Sequence, residues 1–259
     1  MSSLQAQSSL KARLHNGERL HGLFCCTPSS LLVEFIAHAG FDYVILDTEH
    51  SLVNPADLDH MIVAARASGI SALVRVPLER ADLVAPLLDA GAEGIVFPRV
   101  RNEEEAAQAV AMCHYPPSGQ RGLSVHRHIG YHSDRLEERN RRADERVLVA
   151  AMIEDSAGLE ACRAIAEVPG VDILMEGAAD LSAALGLPWQ TRHPAVIEGI
   201  ERIAAAAAAA GIAFCAIPRE DADYGKWLDQ KVSLFVLGTD RGVIRKGLAA
   251  HLEKYAGPR

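Results

Sequence analysis

A single (β/α)8 barrel is the fold this sequence predicts, and three observations predict it. Short apolar, strand-like runs alternate with helical patterns along the 259 residues. No Gly-rich dinucleotide fingerprint follows an early strand, which weakens the alternative of a doubly wound sheet. No linker or shift of composition divides the chain, so residues 1–259 read as one domain.

After a polar start, residues 10–14 read as a short helix and 21–26 as the first strand. Ser29 and Ser30 cap a helix carrying Leu31, Leu32, Phe35 and Ile36, which Gly40 stops. The second strand runs through Tyr43, Val44, Ile45 and Leu46 to Asp47. Pro55 opens a helix over 56–68 with Leu58, Met61, Ile62 and Ala65 on one face. Residues 72–76 form the third strand and carry Arg75. A helix over 81–89 closes at Gly91, and 94–97 is the fourth strand, followed by Pro98 and Arg99. Residues 103–113 are helical.

A long loop follows, with Tyr115, Pro116, Pro117, Arg121 and Gly122, then His126, His128 and His132. Loops of this length inside a compact domain usually serve function. A charged helix covers 134–144. Residues 147–153 are the fifth strand, ending at Glu154, and 157–166 the next helix. Residues 171–175 are the sixth strand, leading to Glu176, Gly177, Ala178, Ala179 and Asp180, and a short helix runs to 185. Residues 194–210 form an alanine-rich helix, which reflects helix propensity and close packing. Strands over 212–217 and 233–237 and helices over 221–229 and 240–255 complete eight strand–helix units.

The composition is that of an ordinary soluble globular protein, with a net charge of −8. No basic block is available to neutralise phosphates, which argues against nucleic acid as a partner. The five cysteines, at 25, 26, 113, 162 and 215, fit neither a zinc spacing nor a disulfide framework. They read as small buried hydrophobes in a reducing compartment. With no apolar leader in residues 1–7 and no run of membrane-spanning length, the expectation is a cytoplasmic protein without membrane contact.

Chemistry collects where strands end: Asp47 with His50, then Arg75, Arg99, Glu154, Asp180, Arg219 and Asp240. In a parallel barrel these ends share one face. Asp47 can orient His50, making His50 a candidate general base. Glu154 and Asp180 end consecutive strands. They suit a hard divalent ion such as Mg²⁺ or Mn²⁺, with Co²⁺ also admissible, and water or substrate would fill the other positions. The competing reading is a carboxylate pair held in salt bridges. Gly177, Ala178 and Ala179 open a helix, and their backbone N–H groups could receive a substrate carboxylate. A carboxylate there beside a metal-chelating carbonyl describes a 2-oxoacid. Arg75 could hold the enolate oxygen that forms when a C–C bond breaks, or form an interior ion pair with Asp47 or Glu49. The loop histidines are expected at the surface, the remaining histidines as structural, and Trp189 and Trp227 as packing residues.

These residues resemble the metal-dependent pyruvate aldolases of the HpcH/HpaI type over nearly the whole chain. The carriers are Gly40-Phe41-Asp42 with Leu46-Asp47-Thr48-Glu49-His50, and Val74-Arg75-Val76-Pro77. Leu88-Asp89-Ala90-Gly91-Ala92, Pro98-Arg99-Val100, Tyr115-Pro116-Pro117 and Arg121-Gly122 follow. Ile153-Glu154 and Ala179-Asp180-Leu181-Ser182 complete the set. The resemblance implies Glu154 and Asp180 as metal ligands, His50 as base with Asp47, and Arg75 on the keto oxygen. It implies that Asp89 serves a neighbouring subunit's site. It also implies a homo-oligomer, a hexamer or a dimer, whose C-terminal helices pack against another barrel.

Three departures from the family pattern stand out: Met152 two residues before the metal-binding Glu, Glu176-Gly177-Ala178 at the anion loop, and Phe214 to Arg219 at the seventh strand. They resemble the citrate synthases of carboxylate-siderophore pathways, which condense oxaloacetate with acetyl-CoA on this fold. Arg219 would then hold the extra carboxylate of oxaloacetate. The expectation is therefore a C–C bond enzyme, an aldolase or a citrate-forming synthase, against a non-catalytic binding barrel as the contrasting class.

Overall fold

The computed structural model describes residues 8–131 and 134–256. Residues 1–7 and His132 lie outside the described residues. Ser9 caps the first helix, α1 (Leu10–His15), by accepting the Ala12 N–H. The alternation then begins with β1 (Leu20–Cys25), α2 (Ser30–His38), β2 (Tyr43–Asp47) and α3 (Pro55–Ala67). β3 (Ser71–Arg75) leads through a 3-10 turn to α4 (Val84–Ala90), and β4 (Gly94–Phe97) to α5 (Glu103–Cys113). The long loop holds one 3-10 turn and α6 (Leu136–Asp144). Then come β5 (Leu148–Ile153), α7 (Ser156–Ala166), β6 (Ile173–Glu176), α8 (Ala178–Ala184) and α9 (Pro194–Ala210). β7 (Ala213–Ala216), α10 (Asp221–Asp229), β8 (Leu234–Thr239) and α11 (Asp240–Ala256) finish the chain.

Most boundaries fall within one or two residues of the sequence expectation. The clearest difference is the helix expected over 81–89. Its first part is the 3-10 turn Leu78–Leu83, kinked at Arg80 (φ −107°, ψ 36°), and regular helix begins at Val84.

Each strand pairs in parallel with the next, and β1 pairs with β8, so the sheet closes into an eight-stranded barrel. The core has two shells because strand side chains alternate in direction. Tyr43 and Ile45 of β2 pack in the barrel interior with Leu73, Leu148, Ala150, Met152 and Met175. Val44, Leu46, Val74, Val149 and Leu174 pack outward against the helices. The buried Leu10 and Leu14 of α1 join the interior cluster. The same alternation turns Asp47, Arg75 and Glu154 inward at the strand ends and turns Glu176 outward, toward the helix layer.

All five cysteines are free and buried, as expected. Trp227 packs on Phe214, with ring centroids 5.0 Å apart. Trp189 does not pack. It is 83 % exposed in the turn between α8 and α9. Among the described residues no helix is long and apolar enough to cross a membrane.

Candidate active site

Asp47 and Arg75 face each other across β2 and β3, where they are register partners. Arg75 Nε donates to Asp47 Oδ1 at 2.9 Å, and Nη2 lies 2.8 Å from Oδ2. Asp47 is fully buried and also accepts the Glu49 N–H (3.0 Å) and the His50 N–H (3.4 Å). Burial alone would raise its pKa. The Arg75 hydrogen bonds and charge, with the two backbone N–H groups, bring it below the usual carboxylate value. Arg75 lies over the Phe24 ring at 4.8 Å. Its pKa is raised because Asp47, Glu49 and Glu154 outweigh the effect of burial.

Against the expectation that Asp47 orients His50, Asp47 does not touch the His50 ring. Its oxygens are taken by Arg75, and it reaches His50 only through the backbone N–H. The carboxylate beside the half-exposed imidazole is Glu49, with Oε2 3.8 Å from Nε2. Glu49 was read only as an ion-pair partner, and it sits at the centre of the site. It lies 3.2 Å from Arg75 Nη1 and 3.7 Å from Arg99 Nε. Arg99 was likewise noted only as a strand end. Its N–H donates to Glu154 Oε1 at 2.9 Å, and its Nη2 lies 3.9 Å from Asp180. Arg99 holds this position with φ at +55°, a region costly for a side chain with a Cβ. The signal for both lay in the strand-end rule: Glu49 is two residues past Asp47, and Arg99 two past β4.

Glu154 is buried, while the Asp180 side chain is 46 % exposed on the first turn of α8. Burial, then the charges of Glu49 and Asp180, push the Glu154 pKa up to about 7, against Arg75 and the Arg99 N–H. Gly177 makes this placement possible. A Cβ there would collide with the Glu154 carboxylate and Cβ. Gly177 spends its N–H on the Ile153 carbonyl (3.1 Å), so it is not the free donor expected of it. Ala178 and Ala179 occupy the first turn of α8, where N–H groups have no intrahelical partner.

Glu154 and Asp180 offer hard oxygen donors, and a divalent cation between them would relieve the burial and charge repulsion that raise the Glu154 pKa. Among the described residues no group of three or more His, Cys, Asp or Glu side chains is arranged to hold a metal ion. A cation here would be held by Glu154 and Asp180, with water or substrate supplying further ligands.

Two expected site residues lie elsewhere. Arg219 Nη2 is 2.9 Å from Glu176 Oε2, and its Nη1 donates to the Ile217 carbonyl. Glu176 also accepts the Ile217 N–H, so the pair braces β6 against the loop after β7, beside a cavity of about 250 Å³ in the helix layer. Asp89 lies near the end of α4, away from the mouth of its own barrel. It is 2.6 Å from Arg121 Nη2 and 3.4 Å from His126 Nε2. His126 is buried and hydrogen-bonded to the Tyr115 hydroxyl at 2.9 Å, against the expected surface position. The loop folds back on α4 and encloses it. Asp240, another strand end, accepts the N–H groups of Cys26 and Thr27 and ties α11 to the end of β1.

A closed parallel barrel whose strand ends gather carboxylates, arginines and a histidine defines a barrel enzyme. The chain belongs to the HpcH/HpaI aldolase/citrate lyase family, which it matches over residues 20–246. It is an enzyme of the aldolase and lyase class, and aldolases of this family are generally divalent-metal dependent. It is 37 % identical over 211 residues to a hydroxypyruvate/pyruvate aldolase of Paraburkholderia phytofirmans, spanning 79 % of this chain and 80 % of that one. The structure of the citrate synthase SbnG superposes with a TM-score of 0.89 at 42 % identity, covering 95 % of this chain and 96 % of that one. An HpcH/HpaI aldolase from Desulfitobacterium hafniense superposes with a TM-score of 0.91 at 28 % identity, covering 97 % and 98 %.

Proposed function

We propose that the mouth of this barrel cleaves and forms the C3–C4 bond of a 4-hydroxy-2-oxoacid, one carbon removed from its keto group, giving pyruvate and an aldehyde. The observation that carries this reading is the meeting of Glu154, Asp180, Arg75 and His50 at one end of the barrel. Glu154 and Asp180 would hold a divalent cation, Mg²⁺ or Mn²⁺ and also Co²⁺, which when bound polarises the keto oxygen. Arg75, gripped at two points by Asp47, keeps further N–H groups for the oxygen on which enolate charge develops. His50 takes the proton from the substrate hydroxyl, and Glu49 offers the resulting imidazolium a carboxylate. The N–H groups of Ala178 and Ala179 receive the substrate carboxylate.

A second reading is favoured by the 42 % identity to SbnG: condensation of oxaloacetate with acetyl-CoA, with His50 deprotonating the acetyl group. Metal-reconstituted protein given a panel of 4-hydroxy-2-oxoacids separates the two. Chelator-sensitive release of pyruvate supports the aldolase. Free thiol and citrate from oxaloacetate and acetyl-CoA, with no pyruvate from the panel, support the synthase. Ligand binding without turnover in either assay supports a non-catalytic barrel.

We also infer a homo-oligomer, a dimer or a hexamer. Ile244, Leu248, Leu252 and Tyr255 line an exposed stripe of α11, and Leu31 and Phe35 of α2 are exposed as well. Packing of α11 on a neighbouring barrel would cover such apolar surface. It would also let Asp89, remote from its own mouth, serve a neighbour's site. The five free, buried cysteines support the cytoplasm as the compartment.

A further inference from the structure

The end of the barrel opposite the carboxylates carries an unusual concentration of arginine. Arg66 closes α3, Glu93 precedes β4, and Arg146 precedes β5. Together with Arg139, Arg142 and His128 they line a cavity of about 260 Å³. Four guanidinium groups thus share it with one carboxylate.

That carboxylate is already engaged. Glu93 Oε2 accepts the Leu10 N–H (2.8 Å) and the Ser71 hydroxyl (3.1 Å), and Oε1 lies 3.4 Å from Arg146 Nη2. Arg139 reaches Asp134, and Arg142 pairs with Glu138 one turn back along α6. Arg66, which is exposed, has no hydrogen-bond or ion-pair partner among the described residues, and the buried Nε of Arg146 has no hydrogen-bond acceptor among them. The Arg66 side chain lies over Gly91, where a Cβ would fall 2.6 Å from Nη1.

The electrostatic consequence is visible on two groups. Burial, then Arg127 and Arg146, lower the Arg66 pKa. Burial, then Arg146, Arg121, Arg66 and His126, push His128 down to about 4, so it is neutral. A chain of net charge −8 therefore gathers four guanidinium groups around one surface cavity, with Arg66 and Arg142 exposed to incoming ligand and Arg66 left without an ion-pair partner among the described residues. The Nε of Arg146 is buried without an acceptor among the described residues, and an oxyanion in the cavity would supply one. Guanidinium forks match tetrahedral oxyanions.

We propose that this cavity binds a multiply charged oxyanion, either inorganic phosphate or the phosphoryl group of a small phosphate ester, at the end of the barrel away from the mouth. Calorimetric titration of the full chain with inorganic phosphate, at fixed ionic strength in chloride, tests it. One saturable phosphate per chain is expected, weakened about tenfold in Arg66→Gln and further in R66Q/R142Q, with the thermal midpoint in chloride unchanged. In the wild type, phosphate should also shift the His128 ring resonances toward the protonated position near pH 6, because the anion offsets the charges that keep it neutral. Glycerol 3-phosphate binding more tightly than inorganic phosphate would identify an ester as the ligand, and the reverse would identify free phosphate. No saturable binding, equal binding by the double variant, or acetate binding as tightly as phosphate would overturn the proposal.

Discussion

Arg219 Nη2 lies 2.9 Å from Oε2 of the buried Glu176, so two residues that depart from the family pattern form a single ion pair. Read separately, a new acid and a new arginine at the mouth suggest a new substrate. Read together, they are a brace between β6 and the loop after β7, facing the helix layer. Burial raises the Glu176 pKa, and Arg219 works against that rise.

This brace predicts an asymmetric mutational response. Arg219→Ala should cost about 3 kcal/mol, because it leaves a buried carboxylate unpaired. Replacing both residues by Leu and Met should recover most of that loss. Urea denaturation measures both, and kcat in the folded variants should stay within about threefold of wild type. A large loss of kcat with normal stability in Arg219→Ala would instead place Arg219 on the substrate.

Arg75 and Asp47 should behave as one unit. Arg75→Ala should lower kcat by about 10² to 10³, the usual loss when a donor to developing negative charge is removed. Asp47→Asn should lose a large part of the same factor, because it loosens Arg75 without removing it. The double variant should then be little worse than Arg75→Ala, and steady-state kinetics on the four proteins would show this as non-additivity.

Loss of the paired carboxylates should separate activity from folding. Glu154→Gln removes a charge that burial disfavours, so its thermal midpoint in the absence of metal should equal or exceed that of wild type. Metal-dependent turnover should fall to background in the same variant and in Asp180→Ala. Thermal melts with and without Mn²⁺ would show the matching loss of metal-induced stabilisation.

Histidine 128 should make the protein acid-sensitive. Its folded pKa, about 4, lies below the ordinary 6.5, so above 6.5 it is neutral in both states and has no effect. As pH falls from 6.5 toward 4 the unfolded chain takes up a proton that the folded chain refuses, and stability is lost. His128→Gln should remove up to about 2 kcal/mol of that loss between pH 7 and 4, allowing for partial exposure. Denaturant titrations in chloride buffers at the two pH values provide the comparison.

The α11 stripe should hold copies together. Leu248→Glu with Leu252→Glu places charges on the exposed apolar face and should shift the protein to smaller species on sedimentation. Unchanged assembly would move the interface elsewhere.

Much of the barrel was legible because strand and helix periods alternate cleanly and Gly or Pro punctuates them. That Asp47, Arg75 and Glu154 share one face followed from their places at strand ends. What the sequence could not supply was side-chain direction beyond the strands. It allowed an ion pair of Arg75 with Asp47 or Glu49 but did not show that this pairing would leave the His50 ring to Glu49. It placed Arg219 at the substrate because the loop after β7 has no periodicity to show that Glu176 would capture it. The loop histidines looked like surface groups because nothing local reveals that a long loop folds back onto Asp89.

The most direct test of the account is proton exchange on pyruvate. Metal-loaded protein is incubated with pyruvate in D₂O, and the methyl protons are followed by NMR. An enolate-forming aldolase site should exchange them, with exchange abolished by chelation, by Glu154→Gln and by Arg75→Ala. No exchange by the metal-loaded wild type, or exchange that survives chelation, would contradict the assignment of Glu154, Asp180 and Arg75 to that chemistry.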